Sequence, residues 1–184
     1  MKEDELLQIF PTPILLLEYK EDFSKETKYI RNLEYIGRKE RESHFRSTDS
    51  YLFRHRPLKK IKTFCEEGVT KYTERVLNSR QRLAVTQCWV NKHPPGAMHY
   101  EHVHENSIIS GVFYFKSGDK FPPIQFSKND SYLSSLKLDP VKYNTINAEV
   151  FQLFCSPGKL ILFPSNLKHS VPVNKSKETR YSLS

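Results

Sequence analysis

His102 and His104 sit two positions apart, and His169 follows 65 residues later. On an extended strand, residues i and i+2 project to the same side. The two imidazoles can therefore face one point, and a distant strand can bring His169 to it. Three neutral imidazoles on one face of a metal ion leave coordination positions open. That is the layout of a facial-triad non-heme iron site, with a histidine where a carboxylate usually stands. Three histidines and a water also make a catalytic zinc site. Spacing alone does not separate the two metals.

Arg180 lies eleven residues after His169, and Ser182 shares its parity. A guanidinium one hairpin from a metal-binding histidine can clamp a carboxylate through two parallel hydrogen bonds. Ser182 can donate to the same carboxylate. A metal with a remote carboxylate clamp suits 2-oxoglutarate, which chelates iron at one end and leaves its far carboxylate to be bound. That pairing favours iron. Two other readings stay open. His99 and Glu101 also share a face, opposite to that of His102 and His104, and would give the commoner two-histidine, one-carboxylate set. The histidines can also be ordinary surface or hydrogen-bonded residues.

The elements that must position these groups read as helices first and strands after. Ile9–Glu18 reads as a short buried strand after a proline turn. Ser24 is placed to cap a helix through about Arg38, with Glu26 in its first turn. Pro57 opens a second helix, in which Leu58, Ile61, Cys65, Val69, Tyr72 and Val76 recur at spacings of 3 and 4. Gly68 interrupts that pattern. Short strands follow at Leu83–Asn91, His99–His104, Ile108–Phe115, Ile124–Phe126, Val150–Phe154, Lys159–Phe163, His169–Val173 and Arg180–Leu183. Many short strands after a helical start predict a mainly β double-sheet jelly roll, a double-stranded β-helix with N-terminal helices packed outside. The expected organisation is one domain over 1–184, with helical support at 23–78 and a jelly-roll core at 83–184. Asn129–Asn147 is weakly periodic and reads as a lid or insert. The last strand ends at the chain terminus, so either it is a sheet edge or the protein continues.

Composition sets bounds. A chain of 184 residues can bury a real core. It has no apolar run of membrane-spanning length and no signal-peptide core after Met1. Its 3 cysteines are far apart, which argues against a disulfide framework and for a reducing cytoplasm. The net charge of +8 comes from scattered lysines and arginines. It reads as a solvated surface rather than a nucleic-acid stripe.

Several runs together resemble a family of small 2-oxoglutarate–Fe(II) oxygenases found in marine bacteria and T4-like cyanophages. They are Ile9-Phe-Pro-Thr-Pro-Ile14, Trp89-Val-Asn91, Gly96, His102-Val-His104-Glu-Asn-Ser-Ile-Ile-Ser-Gly-Val-Phe-Tyr114, Pro157-Gly-Lys-Leu-Ile-Leu-Phe-Pro-Ser165, His169-Ser-Val-Pro-Val-Asn174 and Arg180-Tyr-Ser-Leu-Ser184. Gly96 with His102 is more distantly similar to the prolyl hydroxylase pattern G-x-x-Y-x-x-H-x-D, with His99 for the Tyr and His104 for the Asp. The resemblance implies a double-stranded β-helix and iron ligands at His102, His104 and His169. It implies Arg180 and Ser182 on the far carboxylate of 2-oxoglutarate, Tyr114 on that same carboxylate, and Asn91 facing the cofactor. The implied activity is a dioxygenase that hydroxylates a protein side chain or a small molecule and releases succinate and CO2, with ascorbate as a reductant. A nucleic-acid substrate ranks lower, and no membrane partner is expected. The alternative is a non-catalytic jelly-roll module that binds metal or ligand, or a structural phage component.

Overall fold

The structure is a computed structural model that describes residues 7, 9–37, 44–128 and 140–184. Three strands of the C-terminal half lie at the centre of the fold. Strands β6 (Ile109–Lys116), β9 (Lys159–Pro164) and β11 (Arg180–Leu183) form the middle of a seven-stranded sheet in the order β1-β9-β6-β11-β4-β3-β2. Its other members are β1 (Leu15–Glu18), β2 (Tyr35–Gly37), β3 (Phe45–Ser47) and β4 (Val90–His93). A four-stranded sheet lies in the order β5-β10-β7-β8, from β5 (His99–His102), β7 (Ile124–Ser127), β8 (Val150–Leu153) and β10 (His169–Val171). All ladders between these strands are antiparallel. Two facing sheets with helices on the outside make the expected mainly β double-stranded β-helix.

Side chains alternate along each strand, so the large sheet has two distinct faces. Phe113, Phe115, Leu160, Leu162, Tyr181 and Leu183 point one way and are buried with Ile61, Cys65 and Tyr72 of α2 (Lys59–Arg75). Their neighbours Val112, Tyr114, Ile161 and Phe163 point the other way, toward Ile124 and Phe126 of the small sheet. The helix packs where the sequence has a gap. A Cβ on Gly68 would come within 2.9 Å of Leu17 and Leu160 methyls. The residue that interrupts the apolar period is thus the one that lets α2 lie close to the sheet.

Several boundaries differ from the sequence reading. The first helix, α1, runs Ser24–Arg31 rather than to Arg38, because the chain turns at Asn32 and Tyr35–Gly37 joins the large sheet. Ser24 does not cap it; its hydroxyl donates to Asp22 instead. Residues 83–89 carry no strand, and the ladder begins at Val90. β11 is not an edge: it lies between β4 and β6. Residues 129–139 of the expected insert lie outside the described residues, and Asn144 and Asn147 form side-chain-braced turns beside them. Among the described residues, no helix is long and apolar enough to cross a membrane.

Candidate metal centre and anion pocket

β5 and β10 are paired so that His169 lies directly opposite His102. His104 follows β5 by two residues, and its backbone N–H donates to the Ser165 carbonyl at 2.9 Å, which anchors the turn. The ligand nitrogens of His102, His104 and His169 all lie within 4.8 Å of one another. Ring centroids are 4.3 Å apart for His102 and His169, and 5.0 Å for His102 and His104.

Two of the three tautomers are fixed by the backbone. His102 Nδ1–H donates to the Tyr100 carbonyl at 2.8 Å, and His169 Nδ1–H donates to the Leu167 carbonyl at 2.9 Å. A carbonyl only accepts, so each Nδ1 carries the hydrogen and each Nε2 keeps its lone pair. Such an outer bond on the far nitrogen is what orients metal-ligating histidines. Burial pushes the His169 pKa down to about 4, against the lift from its Leu167 bond. Burial and the nearby His102 also lower His104. These two rings are therefore neutral near pH 7, the form that binds a metal. The residues present fit a divalent ion.

The other reading of the crowded segment finds no support in the geometry. Glu101 is exposed and accepts a hydrogen bond from Ser127 Oγ at the end of β7, two strands away in the same sheet. His99 turns to the same side as His102 and stacks on it, 4.2 Å between centroids. Strict alternation fails here because the β5–β10 register shifts between His169 and Val171. His99 and Glu101 do not converge.

Across a cavity of about 40 Å³ from the histidines lies Arg180. It is 1% exposed, and its Nε and Nη1 have no hydrogen-bond partner among the described residues. The guanidinium lies over the Tyr114 ring, 4.9 Å from its centroid. Tyr114 is buried too, and its Oη is likewise unpartnered. Burial lowers the Arg180 pKa and raises that of Tyr114. An arginine stays charged even so. A buried guanidinium with two unmatched nitrogens, beside a buried hydroxyl, is costly in isolation and well suited to a carboxylate. Ser182, also buried, is paired in register with both Tyr114 and Asn91. Asn91 lines the cavity, but its carboxamide is already engaged: it accepts from Trp89 Nε1 at 3.1 Å and donates to Ser184 Oγ at 2.9 Å. It braces the wall rather than offering a free polar group.

One wall residue escaped the sequence reading. His93 is 1% exposed, faces the cavity, and sits opposite Arg180 in the β4–β11 ladder. Its parity with Asn91 was the available signal.

Residues 87–184 match the family described as "Putative 2OG-Fe(II) oxygenase". The chain belongs to that family. The matched span holds all three histidines of the cluster and Arg180, so family and geometry bear on the same residues. Solved structures agree on the fold. A Pseudomonas putida prolyl-4-hydroxylase superposes with a TM-score of 0.64 at 14% identity, covering 94% of this chain and 90% of that one. HygX from Streptomyces hygroscopicus, solved with nickel and 2-oxoglutarate bound, gives 0.66 at 10% identity, covering 94% and 81%. The epimerase SnoN, solved with Fe3+, alpha ketoglutarate and nogalamycin RO, gives 0.65 at 12% identity, covering 94% and 77%. No curated protein matches the chain by sequence.

Proposed function

We propose that this family member is an Fe(II)- and 2-oxoglutarate-dependent dioxygenase that hydroxylates a protein side chain or a small molecule. The observation that carries the reading is the buried Arg180 guanidinium, two of whose nitrogens have no partner among the described residues, facing three convergent imidazoles across one cavity. A metal-binding module alone has no use for a carboxylate clamp in that position. When bound, iron would activate O2, one oxygen atom going into the oxidative decarboxylation of 2-oxoglutarate to succinate and CO2 and the other into the hydroxylated substrate.

The chain's own residues supply placement and a dry wall. His102, His104 and His169 hold the metal through nitrogens, two of them aimed by backbone carbonyls. Arg180 takes the far carboxylate with its fork, while Tyr114 Oη and Ser182 Oγ donate to it. Val112, Phe163 and Ile124 exclude water from the space between. That space is small, so the five-carbon acid requires the cavity to widen. A larger groove of about 970 Å³ meets the cavity at Trp89, His104, Ser110 and Ser184. It gives a substrate a route to the metal past His104.

His104 stands where a carboxylate is usual, and an all-imidazole set leaves the metal centre one charge more positive. This favours one second reading, a jelly-roll module that binds metal or ligand without turnover. The deciding experiment incubates the protein with Fe(II), ascorbate and 2-oxoglutarate labelled at C1. Slow release of labelled CO2 without added substrate, lost in Arg180→Met, supports the dioxygenase. No release above that of free iron supports the module.

A further inference from the structure

A second histidine cluster lies against the first. His44, His93 and His99 each bring one ring nitrogen within 4.8 Å of the others. The three come from separate places: His44 just before β3, His93 at the end of β4 and His99 at the start of β5. The His44 ring stacks on His93 at 5.0 Å with 12° between planes, and lies 4.1 Å from His99. His99 in turn stacks on His102 of the first cluster.

Nothing in the first site requires three further imidazoles to meet. His93 is 1% exposed, and neither of its ring nitrogens has a hydrogen-bond partner among the described residues. A neutral imidazole carries one donor and one acceptor, and leaving both unmet in the interior is destabilising. Burial first, then the Arg180 charge and the neighbouring His44 and His99, hold the His93 pKa well below its ordinary value. The ring is neutral and keeps a lone pair.

We propose that His44, His93 and His99 bind a second ion, a divalent transition metal of the zinc, cobalt or nickel class. All three donors are imidazole nitrogens, with no carboxylate among them, which selects these ions over magnesium or calcium. Metal–nitrogen bonds of about 2.0–2.1 Å place tetrahedral donors about 3.4 Å apart. Donors already within 4.8 Å reach that by side-chain rotation. A fourth position is left for water or an anion. Arg180 opposes the second ion, because its charge faces His93 across the ladder. An anion on Arg180 removes that opposition, so 2-oxoglutarate and the second ion strengthen each other's binding. This linkage, unlike the site itself, rests on the proposed carboxylate clamp.

The test counts metal. Protein is titrated with Co(II), with and without 2-oxoglutarate, and bound ions per chain are measured after desalting. Wild type should hold two equivalents with 2-oxoglutarate present. His44→Phe, which keeps a ring stacked on His93, should hold one, and His169→Ala should hold one. The double variant should hold none. If wild type holds a single ion that His169→Ala removes, the second site is overturned while the first stands. If His44→Phe keeps both ions, the second site is likewise overturned. If His44→Phe loses one ion but His169→Ala loses none, the second site stands and the proposed first site fails. His93→Gln repeats the count should His44→Phe lose its fold by circular dichroism.

Discussion

β6, β9 and β11 show one side to α2 and the other to the small sheet, and the two sides differ in kind. Toward α2 the sheet presents Phe113, Phe115, Leu160, Leu162 and Leu183, all buried and apolar, with aromatic rings edge-on to Phe23 and Phe64. Toward the small sheet, the alternate positions of β4, β6 and β11 place Tyr114, Arg180, Ser182, Asn91 and His93, buried and polar. Several of their atoms have no partner. The first face stores stability. The second face spends part of it on groups that only a ligand satisfies. Strand alternation lets one sheet do both, since each substitution reaches only one side.

Four results can break or sharpen that contrast. The largest effect belongs to the helix-facing side. Phe113→Ala should destabilise the protein by about 3–5 kcal/mol through lost burial and a cavity. Denaturant unfolding measures this, and the folded fraction should bind 2-oxoglutarate as wild type does. A parallel loss of affinity per folded molecule would show that the faces are not independent.

The next effect belongs to the cavity-facing side and depends on pH. His169 has a pKa of about 4 when folded against 6.5 ordinarily. Between those values the unfolded chain binds the proton and the folded chain does not. Metal-free stability should therefore fall as pH drops from about 6.5 to about 4, by up to about 3 kcal/mol for this group. His169→Gln should lessen that slope by about one proton, leaving the part due to His93 and His104. An unchanged slope in the variant would place the titration elsewhere.

Arg180→Met then separates function from stability. It should weaken 2-oxoglutarate by at least about 30-fold, the loss of one side of a buried charge pair. It should also raise the melting temperature of the ligand-free protein, worth about 1–2 kcal/mol, because an unmatched buried charge is gone. A destabilised ligand-free variant would mean that Arg180 already has its partner within the fold.

The smallest effect is spectroscopic. Trp89 is the 1 tryptophan of the chain and lines the cavity that must widen. Its Nε1 bond to Asn91 and the Arg46 guanidinium 4.2 Å over its ring tie its emission to the wall. Adding 2-oxoglutarate to the metal-loaded protein should shift Trp89 emission, and Arg180→Met should abolish the shift. Equal shifts in both proteins would detach the signal from the clamp.

The sequence made parts of this arrangement legible because they follow strict periods. Arg180–Leu183 is a strand at the bounds its alternation predicts, and α2 follows its 3–4 spacing through Arg75. His102, His104 and His169 converge because i, i+2 spacing and a pairing strand leave few other outcomes. What failed did so where tertiary pairing overrides local pattern. Tyr35–Gly37 falls inside the helix expected from Ser24 to about Arg38, yet pairs with β3. Residues 83–87 have strand composition but join no ladder, and Cys88 pairs only in an isolated bridge with Tyr51. His44 and His93 are 49 positions apart in the chain, with no motif joining them. Only the β3–β4 ladder brings their segments together. The place of β11 in the chain leaves an edge strand as one of two readings, but chain order does not set sheet order.

The most direct test of the central claim is a crystal structure of the protein grown anaerobically with Fe(II) and 2-oxoglutarate, with iron located by anomalous scattering. The account predicts an iron peak about 2.0–2.3 Å from His102, His104 and His169 nitrogens, with the far carboxylate of 2-oxoglutarate on Arg180 Nε and Nη1. An iron peak held by His99 and Glu101, or a 2-oxoglutarate carboxylate bound away from Arg180, would contradict it.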